Sequence, residues 1–427
     1  MKQEKMLVSG QLAKTFPGAT CSTWGKFLMR IGVWLFILAL SAPMSGTAGA
    51  AAKTEILVGT PLPVTGMLAA AALEQKWAYE QAVADINKKG GIFVKEYGKK
   101  LPVRLIIGDA ESDPGKAVAA MERLIKLDKV DVMLSGFTTN HILPTCMTAD
   151  KYKKYYHCTT CLLPPWKEGK YKWSTLFFFD LGQASDVPFQ LMNSLSKADR
   201  PQRLALLMED TIDGRAFGGG FKDSAKKFGY SFVVDEPMAV DAKDYSSQIL
   251  KFKTKDVDGI LIFGSNTDCT TFVRQMKEVG LNTKYFHGWK GTWSHEFYKA
   301  LGKDADYTLM DGFWSEDFPY PGAKELGQRY VKDFGKHSVS IGLYYALCQI
   351  LWEAIEKAGS LDSAKIRDAV LANEFKGTVM GDVKYGKDQI AVHLSTAHQW
   401  WDGYQELAFP IMEKGWKVKV MPPWDKR

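Results

Sequence analysis

The 427-residue chain is predicted to fold as α/β, with two doubly wound lobes of mostly parallel sheet. Three observations predict it. Short apolar runs alternate with amphipathic helical stretches from Thr54 onward, the series restarts near Leu204, and the second series matches the first in length. The composition, 46% hydrophobic and 24% charged, supports a globular fold. It excludes disordered, collagen-like and disulfide-scaffold chains. A length prior of roughly 100–200 residues per domain suits two or three domains. A mean hydropathy of −0.18 excludes a polytopic membrane protein.

The elements follow in order. A first strand spans 56–59, and a Pro/Gly loop over 61–66 leads into a helix. Tyr79, Val83 and Ile86 recur on that helix at i, i+4, i+7. Lys88-Lys89-Gly90-Gly91 ends it, with cations on the negative helix end and glycine free to take the left-handed cap. Residues 103–107 form the second strand. Asp113-Pro114 places an N-cap before a proline at N1, and Val118, Met121 and Ile125 mark the inner face of the helix that follows. Residues 130–134 are the third strand, and Tyr155-Tyr156 opens a fourth. In the second series, strands over 204–207, 230–234 and 259–263 alternate with helices over 214–228, 246–252 and 270–279, the last stopped by Gly280. The chain is expected to pass between lobes at 175–182 and 307–312. A long apolar helix over 341–358 follows, and Trp400-Trp401 falls on a strand of the second lobe. Lobe 1 is therefore assigned to 54–179 with 308–386, and lobe 2 to 180–307 with 387–427.

Residues 1–50 read as an export signal. Lys26 and Arg30 precede a charge-free apolar run over 31–40, and Ala48-Gly49-Ala50 has the A-x-A cleavage pattern. The run is too short for a membrane span, which needs about 20 residues. Removing residues 1–50 lowers the formal charge from +7 to +3, too small and dispersed to signal nucleic acid. Cys146, Cys158, Cys161, Cys269 and Cys348 remain, and an odd number leaves at least one thiol without an internal partner. Cys158 and Cys161 form a lone CxxC after a strand-like run, which argues against a zinc site or a thioredoxin-like centre. An oxidising compartment permits a disulfide among Cys146, Cys158 and Cys161.

Catalytic signatures are missing: there is no HExxH, GxSxG or GxxxxGK[ST], and no GxGxxG follows the first strand. Gly218-Gly219-Gly220 lies in a helical pattern and reads as a close-packing surface. The histidines form no close pair, His393 and His398 being nearest at i+5. What the chain does offer is polar loops at the C-terminal ends of strands, where open α/β sheets bind ligands. Ser135-Gly136-Phe137-Thr138-Thr139-Asn140 supplies hydroxyls and free N–H groups at a helix start, a ready anion site. The simpler alternative is that Thr139 or Asn140 only caps its helix. Cys158-Thr159-Thr160-Cys161 offers a second set of hydroxyls beside the first.

From about 55 to 410 the chain resembles the periplasmic leucine/isoleucine/valine-binding protein family, the type I solute-binding proteins of ABC importers. Val58-Gly59-Thr60-Pro61-Leu62 with Thr65-Gly66 is similar to the family's first strand and ligand loop. Asp85-Ile86-Asn87-Lys88-Lys89-Gly90-Gly91-Ile92 resembles its "DIN-x-x-GGI" signature. Asp109, Asp113-Pro114 and Ala117-Val118 resemble its "D-(x)-DP-x-x-AV" segment. Arg274-Gln275 with Gly280-Leu281 resembles the "R-Q-x-x-x-x-G-L" helix. The resemblance implies a clamp without cofactor or catalysis: two lobes joined by three crossings close on a small solute, and the protein, expected as a monomer, then docks on an ABC permease. It also implies that Thr138, Thr139, Asn140, Thr159 and Thr160 hold the ligand carboxylate.

The second lobe departs from the family pattern. Amino-acid binders carry an acid in a "G-P-E-G" loop to neutralise the ligand ammonium, whereas Gly288-Trp289-Lys290-Gly291 puts Lys290 in that place. A buried cation beside an ammonium is unfavourable. Asp213 replaces the usual aromatic residue in its loop and is expected to pair with Lys290 or to receive an ammonium itself. Trp289 is expected to wall the pocket, Trp293 and Trp314 to serve packing, and Asn266 completes the candidate set. The expected ligand is thus a carboxylate lacking an ammonium, aromatic or dicarboxylic, with an amino acid on Asp213 as the second class. A sensor domain that shows its closed form to a protein partner is the rival function.

Overall fold

The structure, a computed structural model, describes residues 53–427, so the export signal expected over 1–50 lies outside the described residues. The first part of the chain runs β1 (Ile56–Leu62), α1 (Ala69–Lys88), the small hairpin β2 (Ile92–Val94) and β3 (Lys99–Leu101), then β4 (Val103–Asp109) and α2 (Pro114–Lys126). It continues through β5 (Val132–Leu134), α3 (Thr139–Tyr152), β6 (Tyr156–Cys158), α4 (Leu163–Gly169) and β7 (Ser174–Phe179). The middle part holds α5 (Leu181–Ser194), β8 (Leu204–Glu209), α6 (Ile212–Phe228), β9 (Phe232–Met238) and α7 (Ser246–Thr254). It closes with β10 (Gly259–Gly264), α8 (Asn266–Val279), β11 (Tyr285–Lys290), α9 (His295–Leu301) and β12 (Leu309–Gly312). Last come α10 (Ala323–Phe334), α11 (Ile341–Ala358), α12 (Ser363–Ala372), a hairpin of β13 (Glu374–Thr378) and β14 (Gly381–Lys384), then β15 (Ile390–His393), β16 (Thr396–Trp401) and β17 (Tyr404–Phe409).

Two large sheets result. The first has the order β15-β7-β6-β5-β1-β4 and is parallel throughout. The second, β17-β16-β12-β11-β10-β8-β9, is parallel except where β16 joins β12 and β17. Strand order reverses beside β1 in one sheet and beside β8 in the other. The loops leaving β1, β5, β8 and β10 therefore open at the switch points where such sheets take ligands.

Strand membership corrects the expected boundaries. Leu309–Gly312, assigned to lobe 1, pairs with β11 and β16 in the second sheet. Ile390–His393, assigned to lobe 2, pairs with β7 in the first. Both are short strands whose partners lie far away in sequence, which local pattern cannot report. The expected crossing at 175–182 also overlaps β7, so the chain leaves the first sheet only after Phe179. The three crossings fall near Asp180, over 313–322, and at Leu394-Ser395.

Local chemistry explains most element ends. Asp113 accepts from Lys116 N at 2.8 Å and precedes Pro114, as its sequence position implies. The inner face of α2 is Ala117, Met121 and Leu124, rotated slightly from the expected Val118, Met121 and Ile125. Helix α8 begins at Asn266, four residues earlier than expected, because Ser265 and Asp268 form a reciprocal capping box. In α6, a Cβ on Gly220 would stand 2.3 Å from Ser185 Oγ, so this glycine serves close packing against α5, whereas one on Gly218 would meet Met208 at an ordinary 3.4 Å and one on Gly219 would meet nothing.

Gly91 has φ +88°, and a Cβ there would lie 2.2 Å from the Leu101 carbonyl oxygen. Gly91→Ala is expected to lose at least about 1–3 kcal/mol of stability, since a left-handed conformation and a backbone clash must both be accommodated. Urea denaturation checks this, and an unchanged midpoint would refute it.

Candidate functional site

Polar and aromatic groups converge where the loops of the two sheets meet. They enclose about 400 Å³ of empty space, part of it open to solvent. The first sheet contributes Phe137, Thr138 and Thr139 after β5, Thr160 and Leu162 after β6, and Phe178 and Phe179 from the end of β7. The second contributes Asp213 and Phe217 from α6, Phe263 from β10, Lys290 from β11, and Trp293, Asp311 and Phe313.

Aromatic rings form most of the wall. Phe179 stacks on Phe313 with centroids 5.8 Å apart, and Trp293 meets Phe313 edge-on at 5.0 Å. Phe137 reaches across to Trp293 at 6.5 Å, and Phe217 lies 5.0 Å from Phe263. Such a wall has flat apolar faces with the polar groups set between them, the usual composition of a small-molecule site.

Thr138 has φ +65° and precedes α3, whose first turn carries no side-chain cap. The capping alternative for Thr139 and Asn140 therefore does not hold, and the Thr139 N–H at this helix start faces Asp213 on the cavity wall. Thr139 Oγ1 accepts from Leu162 N at 3.0 Å, which ties the β5 and β6 loops together.

The second-lobe wall is charged. Lys290 Nζ lies 2.6 Å from Glu209 Oε1; the Glu209 side chain is fully buried and that of Lys290 is 14% exposed. Thr211 Oγ1 donates to the same Glu209 oxygen at 2.8 Å, while Oε2 has no partner. Asp213 faces the Thr139 hydroxyl and amide across the cleft, and its Oδ1 is buried without a hydrogen bond. Burial pushes the Asp213 carboxyl up to about 6, against the opposing pull of Thr139 and Lys290. Burial also holds Asp311 well above the usual carboxylate range.

A family model described as periplasmic binding protein matches residues 55–404. The chain belongs to the type I periplasmic binding protein family. Its fold and family are those of substrate-binding proteins, not enzymes, and the family is an exported one. Leu/Ile/Val-binding protein homolog 1 of Brucella suis biovar 1 (strain 1330) is 25% identical over 338 residues, 79% of this chain and 88% of that protein. The branched-chain amino acid substrate-binding protein LivJ of Streptococcus pneumoniae, solved with isoleucine, superposes with a TM-score of 0.73 at 19% identity, over 83% of this chain and 98% of that one. An ABC-transporter solute-binding protein of Rhodopseudomonas palustris BisB5, solved with 3,4-dihydroxybenzoic acid, gives 0.69 at 19% identity, over 88% and 100%. A solute-binding role follows for this periplasmic binding protein.

The cleft of this binding protein gathers Thr138, Thr139, Thr160, Asp213 and Lys290 from the expected set. Asn266 stands beside them in the neck of the cleft, its Nδ2 held by Gly291 O and Ser294 Oγ at 3.1 and 2.8 Å. The others are placed elsewhere. Thr159 turns its hydroxyl into the sheet, donating to Phe177 O at 2.7 Å, and Asn140 lies off the cavity wall. Trp289 points to the opposite face of β11 from Lys290, as strand alternation requires. It is buried behind the cleft, stacked on His287 at 4.0 Å, and Trp293 walls the cavity in its place. The expected Lys290–Asp213 pair is replaced by Lys290–Glu209, both on the second lobe. The five cysteines among the described residues are free thiols, so the disulfide expected among Cys146, Cys158 and Cys161 is not formed, although the Cys146 and Cys158 sulfurs lie 3.7 Å apart.

Glu209, Asp311 and most of the phenylalanines are functional candidates that sequence reasoning missed. Their shared signal is position at or just beyond the C-terminal end of a strand. The motifs that carry the family resemblance hold the scaffold instead. Asp85 binds Arg329 and Tyr345, Asn87 bonds both backbone groups of Val103, and Asp109 fastens the loop at Val64 and Thr65.

Proposed function

We propose that this protein is the solute-binding component of an ABC importer, and that it clamps a small carboxylate-bearing solute with an aromatic ring and hands it to a membrane permease. The observation that carries the reading is the ring-lined space between the Thr138–Thr139 loop of one lobe and Lys290 of the other. The carboxylate lies against the Thr138, Thr139 and Thr160 groups, and the ring fits between Phe179, Phe313 and Trp293. Lys290, already paired with Glu209, makes the wall a poor neighbour for an ammonium. The dihydroxybenzoate in the Rhodopseudomonas relative is of the same ligand class. Closure is favoured by contacts that only the closed pair of lobes can make.

The test is a thermal-shift screen of refolded protein against benzoates, dicarboxylates, leucine and valine. A ligand at about 100 times its Kd adds roughly 2.7 kcal/mol. Stabilisation by benzoates is the expected result. Stabilisation by leucine or valine alone would refute the aromatic-acid reading. Deleting the gene should abolish cellular uptake of the same solute, and unimpaired uptake would favour a sensor instead.

A further inference from the structure

The solute cavity does not end at Lys290. Phe137 and Lys290 also line a narrow neck with Ser265, Asn266, Ala70 and Ser294. Ala70 and Ser294 in turn border a third space, about 510 Å³ and partly open, that includes Glu74, His295 and Tyr330. The three spaces follow one another along shared wall residues, with the neck tightly closed in this structure, and the third is bounded by α1 and α10 on one side and by the start of α9 on the other.

Glu74 is the unusual group at the far end. Only 4% exposed, it sits on α1 and accepts from the Ser338 and Ser340 hydroxyls, both on Oε2. Among the described residues no hydrogen bond reaches its Oε1 and no salt bridge reaches the carboxylate, while Lys336 and Glu296 stand on the wall of the same space without pairing with it. Burial raises its pKa, and the two serine hydroxyls oppose that rise. His295 does not neutralise it, because burial lowers that imidazole to about 4 and its Nε2 is engaged by the His337 carbonyl. Tyr330 turns an aromatic ring to the same space, packed on Trp77 and Phe334 at 4.9 and 4.7 Å. A buried carboxylate without a cation is costly, and a carboxylate beside an aromatic face is the chemistry that recognises an organic cation.

We propose that the cleft carries a distal subsite, built on Glu74 and Tyr330, that takes the cationic end of an elongated solute. The inference rests on the proposed solute site for the other end of that molecule, which would enter the ring-lined cavity. The ammonium lies on Glu74 Oε1 against the Tyr330 ring, and the linking chain passes through the neck.

The test uses titration calorimetry on the refolded full-length chain with four probes: benzoate, phenethylammonium, 4-(3-aminopropyl)benzoate and 4-(3-hydroxypropyl)benzoate. The aminopropyl compound should bind at least tenfold tighter than its hydroxypropyl counterpart. Glu74→Gln should bring that ratio close to one. Leu73→Lys, at an exposed position on the rim, should do the same without touching the buried serine contacts. A ratio near one in the unaltered protein, or one that survives both substitutions, overturns the subsite. Phenethylammonium binding that depends on Glu74, with no benzoate binding, upholds the subsite and removes the aromatic-acid reading of the main cavity. Failure of all four probes to bind overturns both.

Discussion

Lys290→Met is expected to lose about 3–5 kcal/mol of folding stability at pH 7, the magnitude seen when one partner of a buried ion pair is removed. The cause is Glu209. Its side chain is fully buried at the end of β8, one oxygen lacks any hydrogen bond, and the lysine ammonium at 2.6 Å is its compensating charge. Without Lys290 the carboxylate faces Asp213 and Asp311 in a largely apolar wall. The double substitution Lys290→Met with Glu209→Gln should regain most of the loss, because the pair is removed together. Urea denaturation of the two variants checks the claim. A single-variant loss below about 1 kcal/mol would show that Glu209 is hydrated and that the pair does not organise the wall.

The second large effect is a pH dependence of solute affinity set by Asp213. Its carboxyl titrates at about 6, chiefly because burial disfavours the charge. A solute carboxylate placed on Thr139 comes to rest beside it, and two close carboxylates share one proton. Binding then takes up a proton. Affinity should be flat below about pH 6 and fall up to tenfold per pH unit above it. A solute whose ammonium sits on Asp213 would behave oppositely, gaining affinity as pH rises towards 6 and levelling off beyond. Calorimetry between pH 4.5 and 8 distinguishes the two, and Asp213→Asn should flatten either profile. The solute-free protein gives a matching sign. A carboxyl raised above its unfolded value of 3.8 leaves the fold most stable below about pH 4. That stability declines between about 4 and 6 and stays lower above, by up to about 3 kcal/mol. Asp213→Asn should therefore be the more stable form at pH 7.

The fold was legible because its signals are local. Asp113-Pro114 announces a helix start, Gly91 a left-handed turn, and 341–358 an apolar helix, and each forms by contacts within a few residues of itself. The swapped positions of β12 and β15 were not legible, because membership of a sheet depends on partners far away in sequence. At the site, Thr138, Thr139 and Thr160 were marked by their strand-end loops, and Asp213 and Lys290 by their departure from the pattern of the family the chain resembles; all five line the cavity. Trp289 stands next to Lys290 in sequence yet not on the cavity, because the alternation of β11 sends neighbouring side chains to opposite faces, and Trp293, beyond the strand, takes that place on the wall. Glu209 escaped notice because an acid at a strand end gains meaning only when the lysine of another strand, 81 residues on, is seen beside it.

The position of β15 at the free edge of the first sheet bears on the order in which the molecule can be built. That sheet begins with Ile56 yet receives its last strand only when His393 is available. The same lobe needs α11 for its core, where Tyr344 meets Tyr79 edge-on at 6.3 Å and Tyr345 reaches Asp85 at 2.7 Å. A growing polypeptide therefore cannot complete its first lobe until nearly all of it has been synthesised, since loops this long must close before the contacts that reward them exist. Truncation before Ile390 should therefore leave the first lobe short of its edge strand even though more than nine-tenths of the chain is present, and the final locking of that lobe waits on the return of a distant segment.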